Sequence, residues 1–152
     1  MPSSVRLSPE RILTVIRHRD GPTWLTAYRS DDNAATWQAV DDPVTNNVNS
    51  PPALFTLADG RLLLVYVDRR NREGTGSAVC GKISADQGET WSEELVLRGG
   101  EGTTGDVGYP VVAQRPDGRL VTVYYWNHAL DSQRPPYRYI AFTLFELPSQ
   151  GD

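Results

Sequence analysis

One stretch of this chain occurs twice at a fixed spacing, and no other feature constrains the fold as much. Pro52-Ala53-Leu54-Phe55-Thr56-Leu57-Ala58-Asp59-Gly60-Arg61-Leu62-Leu63-Leu64-Val65-Tyr66 is matched 58 residues later by Pro110-Val111-Val112-Ala113-Gln114-Arg115-Pro116-Asp117-Gly118-Arg119-Leu120-Val121-Thr122-Val123-Tyr124. Each copy is an apolar run, an Asp-Gly pair and a second apolar run. Glycine supplies a positive φ and aspartate hydrogen-bonds back onto the turn, so Asp-Gly between apolar runs signals a hairpin. Two-residue turns are expected at Asp59-Gly60 and Asp117-Gly118. A third, degenerate copy runs from Leu7 to Ile16 and lies over Leu57 to Tyr66. It lacks the Asp-Gly, so its turn must be built differently.

A second element also recurs. Ser30-Asp31-Asp32-Asn33-Ala34-Ala35-Thr36-Trp37 matches Ser84-Ala85-Asp86-Gln87-Gly88-Glu89-Thr90-Trp91. Strand-like runs flank each copy: Thr23 to Arg29 and Trp37 to Val40 in one, Ser77 to Ile83 and Glu94 to Leu97 in the other. The unit is strand, turn, strand, loop, strand, Asp-containing turn, strand. Four antiparallel strands in roughly 50 residues is the size of a β-propeller blade. Three units are expected, at about 1–48, 49–105 and 106–152. The third has a third strand at Tyr137 to Phe145 but no Asp-containing turn after it, which leaves about eleven strands. The expectation is an all-β chain with no helix longer than a turn or two.

Composition removes several classes of function. In 152 residues, 15 Lys and Arg stand against 19 Asp and Glu, a net charge of −4. Nucleic-acid and membrane-surface proteins want a basic face, so neither partner is expected. No apolar run approaches the ~20 residues of a membrane-spanning helix. The first residues have no signal-peptide character, which implies a cytoplasmic location if the chain is complete. A single cysteine, Cys80, excludes an intrachain disulfide framework, and its strand-like surroundings suit a packed thiol. His18 and His128 lack a second ligand at metal spacing, and Gly99-Gly100-Glu101-Gly102 lacks the lysine of a phosphate loop. No metal or other cofactor is expected.

The pattern Ser-x-Asp-x-Gly-x-Thr-Trp is the Asp-box, or bacterial neuraminidase repeat. Ser84 to Trp91 matches it at every defined position, and Ser30 to Trp37 departs only at Ala34. The chain therefore resembles the sialidase/neuraminidase-like six-bladed propellers, and looks most like the C-terminal half of one. Physically the box is structural. Asp32 and Asp86 can accept backbone N–H groups across a tight turn, while Trp37 and Trp91 plug the blade. Gly88 suits a left-handed backbone, where Ala34 would cost about 1–2 kcal/mol.

Propeller sites gather at the mouth of the central channel, so the start of each blade's first strand is the place to look. In the third unit that start reads Gly105-Asp106-Val107-Gly108-Tyr109-Pro110. The resemblance implies a tyrosine nucleophile at the start of a late blade, and Tyr109 is the match, with Pro110 where serine is usual. Such enzymes are exceptions to the two-carboxylate rule of glycoside hydrolysis. Asp106 is a candidate acceptor for substrate hydroxyls. Sialidases also hold a carboxylate with arginines, whose planar fork suits it. Arg69 and Arg70 are the candidates here, their alternative being a pair with Asp68. The position of one usual arginine is held by Ser50 in Asn49-Ser50-Pro51-Pro52. Trp126 and Asn127, in Tyr125-Trp126-Asn127-His128, suit sugar stacking with hydroxyl hydrogen bonds, and Trp126 equally suits a plug between blades.

These readings imply a sialidase-like glycoside hydrolase that removes terminal sugars from glycans and is inactive as this chain alone. The alternative is a non-catalytic Asp-box propeller that binds a glycan or a protein. Half a ring would expose apolar blade faces, so the expected partners are a glycan and either a second copy or the missing half of the propeller.

Overall fold

The computed structural model describes residues 1–18, 23–45, 50–69, 76–99, 105–128 and 137–148. Among them are eleven strands and no helix, in three antiparallel sheets. The first sheet, in order, is β1 (Pro2–Arg6), β2 (Ile12–Arg17), β3 (Leu25–Ser30) and β4 (Gln38–Val44). The second is β5 (Ala53–Thr56), β6 (Leu62–Asp68), β7 (Ala78–Ser84) and β8 (Leu95–Arg98). The third has β9 (Gly108–Gln114), β10 (Leu120–His128) and β11 (Tyr137–Phe145), with β11 at its open edge. Each sheet is a meander of neighbours in sequence, as short connections dictate.

The sheets stack face to face, and β6 shows why. All seven of its residues are buried, because it has a neighbouring sheet on both faces. Leu62, Leu64 and Tyr66 face the first sheet with Leu13, Val15, Leu25 and Ala27. Leu63, Val65 and Val67 alternate to the other face and meet Leu120, Tyr124 and Trp126 of the third. Each such side chain contributes roughly 1.5–3 kcal/mol by leaving water. Cys80 lies in the first of these cores, fully buried. Tyr66 is buried as well, and its hydroxyl donates to Glu94 Oε2 at 2.5 Å.

The Asp-Gly turns differ from the expected two-residue hairpins. Leu57 N–H donates to Arg61 C=O at 2.8 Å and Gly60 N–H to Leu57 C=O at 3.0 Å, so the loop holds three residues, 58–60. Arg115 N–H to Arg119 C=O and Gly118 N–H to Arg115 C=O repeat the arrangement. Gly60 and Gly118 take φ of 88° and 87°, the left-handed residue that closes a three-residue loop. The first blade keeps the same span, from Leu7 N–H to Arg11 C=O at 2.9 Å, without glycine. There Ser8 Oγ accepts from Arg11 N–H at 3.0 Å, as Asp59 Oδ1 does from Arg61 N–H.

Both Asp-boxes are closed by the same set of bonds. Asp86 Oδ1 accepts from Thr90 N–H at 2.9 Å and from Ser84 Oγ at 2.8 Å, and Ser84 Oγ accepts from Gly88 N–H at 2.8 Å. Asp32, Thr36, Ser30 and Ala34 repeat the pattern. Ala34 carries φ 73° where Gly88 has 94°. Trp91 packs on the core between the first two blades. Trp37, expected as a plug, is 42% exposed, because among the described residues no blade stands on that side of blade one.

Candidate active site

Where blades two and three meet, the end opposite the second Asp-box holds a cluster of polar side chains. Register fixes the geometry: Ser84, which opens the second Asp-box, pairs with Leu62, while Asp68 at the far end of β6 pairs with Ala78. Tyr109, near the start of β9, lies at that far end, because Gly108 pairs with Tyr125 late in β10. A register shift between Val123 and Tyr125 marks a bulge there, a usual device for re-aiming a side chain.

Tyr109 is 49% exposed and has φ 55°, a left-handed conformation that costs a bulky residue about 1–3 kcal/mol. Its neighbours hold it there. Its N–H donates to Ser50 Oγ at 3.0 Å, and Ser50 is itself fully buried. Gly108 lies so close that a Cβ on it would fall 2.5 Å from Ser50 Oγ and 3.1 Å from an Arg69 guanidinium nitrogen. Pro110 sets the chain direction beyond it. The Tyr109 ring sits 5.8 Å from that of Tyr125. Among the described residues, no group hydrogen-bonds the Tyr109 hydroxyl.

Behind Tyr109 runs a continuous polar network. Arg69 donates to the Val107 carbonyl at 2.9 and 2.6 Å and to Tyr125 Oη at 3.0 Å. Tyr125 Oη donates in turn to Asp106 Oδ1 at 2.9 Å. The other carboxylate oxygen of Asp106 is ion-paired with Arg138. Asn127 Nδ2 donates to the Asp106 carbonyl at 2.5 Å. The Arg138 guanidinium holds the Asp106 carboxyl below the usual carboxylate range, with burial opposing and Tyr125 assisting. Burial, followed by the Asp106 hydrogen bond, pushes the Tyr125 phenol up, against the charge of Arg69. At neutral pH Asp106 is a carboxylate and Tyr125 a protonated phenol.

The structure thus brings Arg69, Asp106, Tyr109 and Asn127 together. Arg69 lines the site and donates from Nε and one terminal nitrogen to a carbonyl and a phenol. Asp106 is likewise bonded at both carboxylate oxygens. Trp126 is not an exposed sugar platform. It is 1% exposed, edge-on to Tyr124 at 5.5 Å and under the Arg98 guanidinium at 4.5 Å, so of its two readings the plug between blades holds. Asn127 is fully buried and donates to the Asp106 carbonyl, which steadies that loop. Arg70 lies outside the described residues. Sequence reasoning did not single out Ser50, Tyr125 or Arg138 as site residues. Strand alternation in β10 was the available signal for Tyr125, since Tyr124 and Trp126 face the core and Tyr125 must face away.

The family model described as a BNR repeat-like domain matches residues 1–122. No curated protein matches the sequence. Solved structures do match. A GH93 α-L-arabinofuranosidase of Fusarium graminearum, in complex with arabinobiose, is 20% identical over 97% of this chain and 46% of its own, with a TM-score of 0.68. An α-L-arabinanase of Penicillium chrysogenum, also with arabinobiose, is 19% identical over 93% of this chain and 45% of its own, with a TM-score of 0.64. A xylan β-1,4-xylosidase from Bacillus halodurans is 19% identical over 99% of this chain and 29% of its own, with a TM-score of 0.59. The chain spans about half the length of the first two. Their likeness makes the three sheets blades of a β-propeller. With two Asp-boxes closed by the same hydrogen bonds and a family match over most of its length, the chain belongs to the BNR repeat-like domain family.

Proposed function

We propose that this chain carries part of the active site of an exo-acting glycoside hydrolase, with Tyr109 as the nucleophile. The observation that carries the reading is Tyr109 itself, a half-exposed phenol held in a strained backbone conformation at the blade end opposite the Asp-boxes. Strain of this kind persists where surrounding structure over-determines it, and it concentrates at functional sites. In the reaction the phenolic oxygen attacks the anomeric carbon of a terminal sugar and the glycosidic C–O bond breaks. An acid protonates the departing oxygen, and water then hydrolyses the tyrosyl–sugar bond. The phenol must lose its proton to a base, and Asp106 is engaged with Arg138 and Tyr125. Among the described residues none stands free as that base, so the base and the acid are assigned to groups beyond the described part of this site.

Arg138 is ion-paired with Asp106 and Arg69 is bonded to Val107 and Tyr125, so neither presents its whole guanidinium fork to a sugar carboxylate, which fits a neutral terminal sugar better than a sialic acid. The names of the similar structures, an arabinofuranosidase, an arabinanase and a xylosidase, support the same choice. One observation favours a second reading, a lectin-like propeller that binds glycan without cleaving it: no base reaches the Tyr109 hydroxyl among the described residues. The test uses nitrophenyl arabinofuranoside, xyloside and sialoside with the complete ring, comparing wild type with Tyr109→Phe. Hydrolysis of a neutral glycoside that Tyr109→Phe abolishes while sparing sugar binding supports the nucleophile. Binding without hydrolysis in the wild type favours the second reading, and hydrolysis unchanged by the substitution refutes the first.

A further inference from the structure

Tyr109 sits in a break of its own strand, and a side chain from the neighbouring blade fills that break. In the pairing of β9 with β10, Gly108 lies opposite Tyr125 and Val111 opposite Val123. Tyr109 and Pro110 therefore share the space opposite Tyr124, which makes the pair a bulge. A bulge disrupts the ladder locally, and Pro110 has no N–H to contribute. The acceptor for the Tyr109 N–H is instead Ser50 Oγ at 3.0 Å, from the entry to blade two. The same hydroxyl donates to the Pro51 carbonyl at 3.3 Å, so its proton is turned away and a lone pair is left for Tyr109. Ser50 is fully buried, so water does not compete for that bond.

The repeat explains how the contact arises. Ser50 precedes Gly108 by 58 residues, the spacing of the two hairpin copies, so the two are equivalent positions of adjacent blades. One carries the hydroxyl and the other has no side chain, and a Cβ on Gly108 would lie 2.5 Å from Ser50 Oγ. By the same spacing Pro51 holds in blade two the place of Tyr109. The proline ring fixes φ near about −65° and excludes the left-handed conformation that Tyr109 adopts at 55°. Packing holds the Tyr109 ring only loosely, since it is half-exposed beside Tyr125. The direction of the phenol is therefore set by its backbone.

We propose that Ser50 is the positioning residue of the Tyr109 phenol: its hydroxyl fixes the left-handed backbone that aims the ring, without itself touching substrate. This role rests on the nucleophile reading above. Without the hydroxyl the N–H loses its partner, the bulge relaxes and the phenolic oxygen moves off line. A shift of about 1 Å costs on the order of 100-fold in rate. The experiment compares wild type, Tyr109→Phe, Ser50→Ala and Ser50→Cys in the complete ring, on the neutral nitrophenyl glycoside that wild type cleaves, well below each Tm. Cysteine fills the site but accepts weakly, so it removes the hydrogen bond while keeping the packing. Both Ser50 variants lower kcat roughly 10–100-fold with KM within about twofold of wild type. In the purified chain, exchange of the Tyr109 amide hydrogen speeds up about tenfold or more while the β6 amides stay protected. A merely structural role would lower Tm and leave the kcat of folded enzyme unmoved. A kcat within about twofold of wild type in both Ser50 variants, while Tyr109→Phe abolishes turnover, overturns the positioning role and leaves the nucleophile standing. A wild type that cleaves no glycoside, or a Tyr109→Phe variant that cleaves as wild type does, ends both readings. Should Ser50→Ala fail to fold, Ser50→Cys decides.

Discussion

Substituting Gly88 by alanine separates backbone strain from packing, because the chain contains its own controls. Gly88 has φ 94°, and a Cβ there would lie 2.5 Å from Leu13 Cδ2 and 3.2 Å from Cδ1. Leu13 is fully buried in the core between blades one and two, so it has little room to yield. Gly60 has a similar φ, 88°, but nothing within 4 Å of the same point. Strain alone costs Gly60→Ala about 1–2 kcal/mol. Gly88→Ala adds overpacking of about 1–3 kcal/mol, for a total of roughly 2–5 kcal/mol. At ~2–4 °C per kcal/mol, that lowers Tm by roughly 4–20 °C. Ala34 stands at the equivalent position of blade one at φ 73°, where this chain places no blade against the box. The assay is thermal unfolding of Gly88→Ala, Gly60→Ala, Leu13→Ala and the Gly88→Ala/Leu13→Ala double variant. Leu13→Ala should relieve the overlap and show a coupling of about 1–3 kcal/mol with Gly88→Ala. Equal losses for Gly60→Ala and Gly88→Ala, or additive losses in the double variant, would refute the claim that the second Asp-box is wedged against blade one.

Gly108→Ala should destabilise through the same two causes, since its φ is 151° and its Cβ would strike Ser50. It should also displace Tyr109, read as altered Tyr109 ring shifts by NMR. Asp32 is held at about 2, chiefly by the Thr36 hydroxyl and N–H and then by Ser30. Its folded value is depressed, so its contribution to stability is complete above about pH 4 and is lost as pH falls through about 2. A side-chain carboxyl titration should find that midpoint, and one near 4 would show the box open in solution. Tyr66→Phe removes the donor to Glu94 and should cost about 1.5–3 kcal/mol in denaturant unfolding. Tyr125→Phe should break the link between Arg69 and Asp106 and raise the Asp106 titration midpoint, which a purely structural role for Tyr125 would leave unmoved.

The blades were legible because their signal is local. Alternation in Leu62 to Tyr66 and in Leu120 to Tyr124 gives strands, and Asp-Gly gives the reversal between them. The loop length was not legible, because Asp-Gly serves two-residue and three-residue hairpins alike. The deciding bond, Leu57 N–H to Arg61 C=O, depends on how the two strands pair. Trp37 and Trp91 show the same limit one level up. Their boxes read alike, yet one indole is 42% exposed and the other packs into a core. The difference lies in which blade stands beside each, and no pattern within eight residues encodes that.

The site follows from the same distinction. Tyr109 could be found by its position at the start of a blade, and Asp106 and Arg69 by their loops. What each one does was set by partners distant in the chain: Ser50, Tyr125 and Arg138. Arg138 reaches Asp106 because β11 pairs with β10 so that it lies opposite Asn127. Those partners change the chemistry that the residue types suggest. Arg69, with Val107 and Tyr125 as its partners, braces the loop whatever else its remaining donors do. It holds the backbone just ahead of Gly108, while Ser50 holds the backbone N–H just after it. Between those two supports the chain must pass through a glycine at φ 151° and a tyrosine at φ 55°. The strain at Tyr109 is thus a consequence of blade two gripping the entry loop of blade three on both sides of Gly108.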